Sequence, residues 1–307
     1  MQTALLFPGQ GSQRVGMGRD LAHRFALARQ TYQEADDALG FSISALCFDG
    51  PEDALTLTQH SQPAILATSM AVFRVLAAEK GLGFDVVAGP SLGEWSALCA
   101  AGALGFADAV RLTHLRGRFM QEAVPVGVGA MAAIMGLELD AVQALCAAAA
   151  APGEPAEPAN LNGAGQIVIS GHAAAIDRAI EQAKARGAKR AVKLAVSAPF
   201  HSSLMQPAAA QLAGALAAIA IATPAVPVVA NVTAAATRDP DEIRRLLVEQ
   251  VTGTVRWEES VQALAKAGVT RGYELGAGSV LRGLVKRIAS TIEVTTIGEP
   301  HEVDAFT

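Results

Sequence analysis

The stretch Phe84-Asp85-Val86-Val87-Ala88-Gly89-Pro90-Ser91-Leu92-Gly93 constrains this chain more than any other. An apolar run ends in a glycine-flanked serine, and an alanine-rich helical stretch follows from Glu94 to Ala101. Strand, tight turn, helix is the G-x-S-x-G pattern of a nucleophile elbow. The glycines permit a sharp turn that lifts the serine Oγ off the strand end, and the N–H after the serine can stabilise an oxyanion. A serine that only caps a helix after a buried strand has the same local sequence. On either reading a strand feeds directly into a helix, which points to an α/β fold with a parallel sheet.

The rest of the chain agrees with that class. At 307 residues it is long enough for a large domain with a subdomain. Half of it is apolar and only 5% is aromatic, which suits a helix-rich globular core. A net charge of −5 argues against nucleic acid as a partner. Cys47, Cys99 and Cys146 lie in apolar surroundings without C-x-x-C spacing, so they read as buried thiols in a reducing compartment with no metal site. The first apolar run, Met1 to Phe7, has no basic leader and is cut by Pro8-Gly9, so it reads as a strand. No run approaches the roughly 18 apolar residues of a membrane span. A soluble cytoplasmic protein is expected.

After the strand at residues 3–7, Pro8-Gly9-Gln10-Gly11-Ser12-Gln13 forms an irregular turn. In α/β folds such a turn at a strand end is either ligand-binding backbone or a plain connection. Helices are expected over Met17–Leu39, in a short segment opened by Pro51-Glu52-Asp53, and from Ser61-Gln62-Pro63 to Gly81. Another is expected over Ala107–Glu122. There Leu112, Leu115, Phe119, Met120 and Ala123 form an apolar stripe at i, i+3, i+7, i+8 and i+11. Arg116 sits on that stripe, with Arg111, Arg118 and Glu122 on the other side. A guanidinium on a buried face needs an anionic partner, and this face of the helix offers no carboxylate. The alternative is an arginine that snorkels from the stripe edge or pairs with a distant acid.

From Gly127 the order becomes strand (130–135), helix (140–151), loop (152–159), strands (160–162 and 166–170), helix (173–186) and strand (189–196). This β-α-β-β-α-β order is the ferredoxin-like signature. Residues 127–196 therefore read as a small subdomain, inserted in a large discontinuous domain of residues 1–126 and 197–307. The chain re-enters the large domain at Ser197-Ala198-Pro199-Phe200-His201. Later elements are a helix at 204–219, a short strand at 227–231, helices at 240–251 and 256–267, a strand at 270–275, a helix at 279–288 and a final strand at 292–297.

A serine nucleophile requires a base. His23, His60, His114, His172 and His301 read as solvated side chains in helices, turns or the tail. His201 follows Pro199-Phe200 at a helix start. A helix N-terminus disfavours imidazolium, which leaves the ring able to accept a proton. His201 is equally a residue of a plain helix N-cap region. No third carboxylate is evident, and with more than 100 residues after His201 the α/β-hydrolase fold, whose histidine lies near the C-terminus, is disfavoured on the residues alone.

Four stretches in this order, Phe7-Pro8-Gly9-Gln10-Gly11-Ser12-Gln13, G-x-S-L-G-E at the elbow, Leu115-Arg116-Gly117-Arg118-Phe119-Met120-Gln121 and Pro199-Phe200-His201, together with the inserted subdomain, resemble the malonyl-CoA:acyl carrier protein transacylase family. That family also includes the acyltransferases of polyketide synthases, and the resemblance spans about residues 3–290. It implies an α/β-hydrolase-like large domain. It implies that Ser91 is acylated by malonyl-CoA, that His201 is base and then acid, and that Gln10 and Leu92 supply oxyanion N–H groups. Arg116 is implied to hold the malonyl carboxylate, Phe200 to favour malonyl over bulkier groups, and the Gln250 backbone carbonyl to orient the histidine. The implied partners are malonyl-CoA and an acidic acyl carrier protein. Their own phosphopantetheine carries the acyl group, so no cofactor is expected, and a monomer is expected. Lys189, Arg190, Lys286 and Arg287 are candidates for the carrier surface. The chain departs from the family at Pro90, where histidine is usual. Other readings are an acyltransferase serving a polyketide synthase or malonate decarboxylase system, a serine esterase or thioesterase, and a binding module whose site Pro90 has spoiled.

Overall fold

The computed structural model describes residues 2–196 and 198–307; Ser197, the expected re-entry point, and Met1 lie outside the described residues. Among the described residues, ten strands form two sheets. They are β1 (Gln2–Leu6), β2 (Val86–Ala88), β3 (Gly129–Met135), β4 (Ala156–Gly163), β5 (Gln166–His172), β6 (Arg190–Lys193), β7 (Val228–Val229), β8 (Ala236–Thr237), β9 (Val269–Leu275) and β10 (Glu293–Ile297). The large sheet has the order β10-β9-β1-β2-β7-β8. It is parallel except for β8, which pairs antiparallel with β7. The small sheet has the order β4-β5-β3-β6 and is antiparallel, with its two helices, Leu139–Ala149 and Ala173–Ala185, in the ferredoxin-like sequence order.

Side-chain alternation explains the layers. Along β1 and β2, Leu5 and Val87, with Phe7 just past the end of β1, enter one core, and Ala4, Leu6, Val86 and Ala88 enter another on the opposite face. A strand apolar on both faces belongs in a parallel sheet covered on both sides. In β3, Ala130, Ala132 and Ile134 pack on the subdomain's own helices, whereas Met131 and Ala133 join the core of the large sheet. The small sheet thus turns one face towards its helices and the other towards the large sheet.

Several expected boundaries move, each for a local reason. The expected helix 17–39 is two helices, Arg19–Arg24 and Ala26–Leu39, broken at Phe25, whose extended backbone sends its ring into the core. The expected loop 152–159 gives way at residue 156 to β4, which buries Ala156 and Ala159. Asp239 caps the helix Pro240–Thr252, accepting the N–H groups of Asp241 and Glu242.

The helix expected to begin at Ser61-Gln62-Pro63 instead spans Thr58–Glu79 and carries Pro63 inside it. Proline cannot donate to the carbonyl four residues back. That carbonyl, on Gln59, accepts a hydrogen bond from His114 Nδ1 at 2.8 Å. His114 is therefore half-buried and bonded rather than solvated, and burial lowers its pKa. His60, also expected to be solvated in a turn, lies in the helix, bonds the Ala54 carbonyl and stacks on His114. Nearby, a Cβ on Gly117 would lie 2.5 Å from the Thr58 carbonyl oxygen, so glycine lets the helix Phe106–Glu122 close onto Thr58–Glu79. Thr58–Glu79 is long and apolar enough to cross a membrane, but most of it is buried within the protein.

Candidate active site

Leu6 on β1 is in register with Ala88 on β2, so the loops that follow these two strands emerge side by side. Ligands in α/β folds bind beyond the carboxyl ends of such strands. Pro8, Gly9 and Gln10 from the first loop and Pro90 and Ser91 from the second line one cavity of about 260 Å³. Its other walls include Arg116, Phe200, His201, Met131 and Val168, so the small sheet closes it from above.

The elbow is strained at the serine. Ser91 has φ 52° and ψ −106° and precedes the helix Leu92–Ala100. Non-glycine residues adopt such backbone only where the surroundings hold it there. The flanking glycines serve a different end from the one their pattern suggests. Neither has positive φ, but a Cβ on Gly93 would lie 2.1 Å, and one on Gly89 2.5 Å, from the Phe7 carbonyl oxygen. They permit close approach to the end of β1.

Ser91 Oγ lies 2.8 Å from His201 Nε2, and His201 Nδ1 lies 2.7 Å from the Gln250 backbone carbonyl. A carbonyl only accepts, so Nδ1 carries the proton and Nε2 is free to accept the serine hydroxyl. His201 is 4% exposed, and its pKa is pushed down to about 4, by burial first and by the Arg116 charge second. His201, with its own φ at 58°, stands ahead of a 3₁₀ turn, Ser203–Met205, that continues directly into the helix Gln206–Ala217.

Arg116 is 1% exposed and does not snorkel. It donates to Gln62 Oε1 at 2.7 Å, Gln250 Oε1 at 2.9 Å and Ser91 Oγ at 3.0 Å. All three acceptors are neutral, and its buried Nε has no partner among the described residues. Burial lowers its pKa to about 10, against the opposing pull of Glu94. Neither the Gln10 nor the Leu92 backbone N–H donates to any acceptor among the described residues. Phe200 is buried in the cavity wall beside His201.

Three site residues were not visible in the sequence pattern. Glu94, inside the quoted elbow motif, is 3% exposed. Its Oε2 accepts the Asn231 N–H at 2.9 Å and Gln250 Nε2 at 2.7 Å. Asn231 Oδ1 in turn accepts the Ser91 N–H at 2.5 Å, and Asn231 Nδ2 donates to the Gly89 carbonyl. Gln62 is the third. Burial raises the Glu94 pKa to about 7, opposed by these two hydrogen bonds and by Arg116.

A serine poised on a neutral histidine, beside an arginine with no anion of its own, defines a class: serine acyltransferases built to receive an acidic acyl group. The chain belongs to the acyl transferase domain family, whose model matches residues 4–297. It is 48% identical over 304 residues to the malonyl CoA-acyl carrier protein transacylase of Escherichia coli strain K12, covering 99% of this chain and 98% of that one. It is 46% identical over 301 residues to the protein of that description in Bacillus subtilis strain 168, covering 98% and 95%. The crystal structure of an acyl carrier protein S-malonyltransferase from Vibrio cholerae superposes with a TM-score of 0.97 at 46% identity, over all of both chains. A type II PKS acyl-carrier protein in complex with its malonyl-transacylase matches with a TM-score of 0.96 at 44% identity, covering 99% and 98%.

Proposed function

We propose that this chain moves the malonyl group of malonyl-CoA to the phosphopantetheine thiol of an acyl carrier protein, in a ping-pong reaction through a serine ester. The observation that carries the reading is the shared contact on Ser91 Oγ, with His201 Nε2 at 2.8 Å and the Arg116 guanidinium at 3.0 Å. Ser91 Oγ attacks the thioester carbonyl while its proton passes to His201 Nε2. The tetrahedral oxyanion is held by the backbone N–H groups of Gln10 and Leu92. Arg116 binds the malonyl carboxylate, taking up the anion that its direct hydrogen-bond partners do not supply. As the C–S bond breaks, His201 returns the proton to the CoA sulfur. The carrier thiol then attacks the malonyl-Ser91 ester, giving its proton to His201 and releasing Ser91 Oγ, which recovers that proton. The Gln250 carbonyl holds the imidazole throughout, where a triad would place a carboxylate.

The apolar wall of Met120, Met131, Val168, Leu194 and Val196 disfavours water at the ester, which supports transfer over hydrolysis. Phe200 narrows the acyl end of the cavity. The large domain takes residues 1–126 and 197–307, the subdomain takes 127–196, and the reaction runs between them in the cytoplasm. Mass spectrometry after mixing with malonyl-CoA tests the mechanism. A malonyl adduct on Ser91 that persists until carrier protein is added is expected. Immediate turnover to free malonate favours a thioesterase. In Arg116→Ala, malonyl loading falls about 100-fold or more while acetyl loading changes far less.

A further inference from the structure

Arg116 poses a physical problem that its own contacts do not solve. A buried guanidinium bonded only to neutral oxygens requires a counter-charge nearby. Glu94 supplies it at one remove: its Oε2 accepts from Gln250 Nε2 at 2.7 Å, and Gln250 Oε1 accepts from Arg116 at 2.9 Å. The amide is a spacer. A carboxylate at position 250 would occupy the guanidinium directly, whereas the glutamine passes on alignment and leaves Arg116 open to another anion. The same Oε2 accepts from the Asn231 N–H, and Asn231 Oδ1 fixes the Ser91 N–H, so one carboxylate anchors both the clamp and the elbow.

We infer that Glu94 is a positioning residue and the internal counter-charge of the Arg116 clamp, competing with the malonyl carboxylate for Arg116 so that the bound malonyl group is held loosely enough to be passed on. This rests on the function proposed above. An anion entering the clamp meets Arg116 as attraction and Glu94 as repulsion. Removing the Glu94 charge strengthens malonyl binding, whereas a purely structural glutamate, when replaced, weakens it.

Glu94→Gln is the test. One amide oxygen can take both hydrogen bonds that Oε2 accepts, so the geometry is kept and the charge is lost. In the full chain assayed at pH 8, where Glu94 is ionised, the KM for malonyl-CoA is expected to fall by about tenfold, the size of one unit charge acting across a partly screened site. Transfer from the malonyl-Ser91 ester to carrier protein slows, and the KM for acetyl-CoA, which offers Arg116 no charge, moves by less than about twofold. A folded Glu94→Gln protein whose malonyl-CoA KM is unchanged or raised overturns the inference. If that variant does not fold, the wild type decides, because Glu94 takes up its proton between pH 8 and pH 6 while the malonyl carboxylate stays ionised. The malonyl-CoA KM must then be lower at pH 6 than at pH 8 with little change for acetyl-CoA, and equal values overturn the inference. Wild-type protein measured in parallel separates the two levels. Absence of malonyl transfer by the wild type defeats the proposed function itself, whereas normal wild-type transfer with an unmoved variant defeats only the role of Glu94.

Discussion

The pKa values of His201 and Glu94 are shifted in opposite directions within one buried network. The His201 pKa falls from 6.5 to about 4 on folding, so its neutral form is favoured and its stabilising contribution is lost as pH drops from 6.5 through 4, about 3 kcal/mol in all. The Glu94 pKa rises from 4.5 to about 7, so its contribution is present at low pH and lost as pH climbs from 4.5 through 7, again about 3 kcal/mol. Between these limits the two slopes offset each other. For catalysis only the neutral imidazole works as base. Acetyl loading of Ser91, followed by rapid quench, is therefore expected to keep its kcat/KM down to about pH 5 and to fall with a midpoint near 4. A midpoint at 6.5 would contradict the burial assigned to His201. The sequence revealed Ser91, Arg116 and His201 because each breaks a pattern: a serine between glycines after a strand, a charge on an apolar stripe, a histidine after Pro199-Phe200. Glu94, Asn231 and Gln62 break none. Each is a polar residue in an ordinary position, and only tertiary packing buries it.

At the scale of elements, strand–turn–helix at the elbow was legible, but the work of its glycines was not. Their spacing suggests conformational freedom, whereas the constraint is the Phe7 carbonyl on the neighbouring strand, a long-range contact that local sequence does not encode. Gly93→Ala forces backbone against backbone and is expected to cost about 3 kcal/mol or more in urea unfolding. A loss under about 1 kcal/mol would mean that the sheet and helix can part freely there. Pro90 belongs to the same turn. Its carbonyl accepts the Gly93 N–H, its ring lines the cavity, and a Cβ on Gly9 would come within 2.8 Å of that carbonyl. Proline here offers no side-chain hydrogen bond in the cavity, where the family's usual histidine offers two nitrogens. Pro90→His is expected to change the rate of malonyl transfer severalfold; side-by-side assays giving equal rates exclude any effect of the departure. Other element-level errors share a cause. A helix pattern broken at Phe25 and a proline inside Thr58–Glu79 are both decided by what lies across from them, the core in one case and His114 in the other.

For the whole molecule, the alternation of strands and helices was enough to predict a parallel sheet with an inserted antiparallel subdomain, but not the strand order. β1 lies between β9 and β2, a pairing across most of the chain that periodicity cannot convey. Two basic pairs far apart in sequence lie on elements that both border the β4–β5 hairpin. Lys189 immediately precedes β6 and Arg190 opens it, and Lys286 and Arg287 lie in the last turn of the helix Val280–Ile288; all four are exposed. The tip of the β4–β5 hairpin joins them. A Cβ on Gly163 would meet Ile288, Gly165 packs on Gly136, and a Cβ on Gly136 would meet Lys189. The helix that carries Lys286 and Arg287 also presents Val280, Leu281 and Leu284 to the cavity. A carrier docked on this rim would have its pantetheine arm at the mouth of the site. Although the chain as a whole carries −5, we propose these four exposed cations as the docking point of an acidic carrier, with Glu258 beside Gly163 at the edge of the patch. Charge reversal of Lys286 and Arg287 together is expected to raise the KM for carrier protein about tenfold or more and to flatten its salt dependence. The reaction should be started from pre-formed malonyl-Ser91 enzyme, so that CoA, itself an anion, does not contribute. An unchanged carrier KM in that half-reaction would place the docking surface on another face of the molecule.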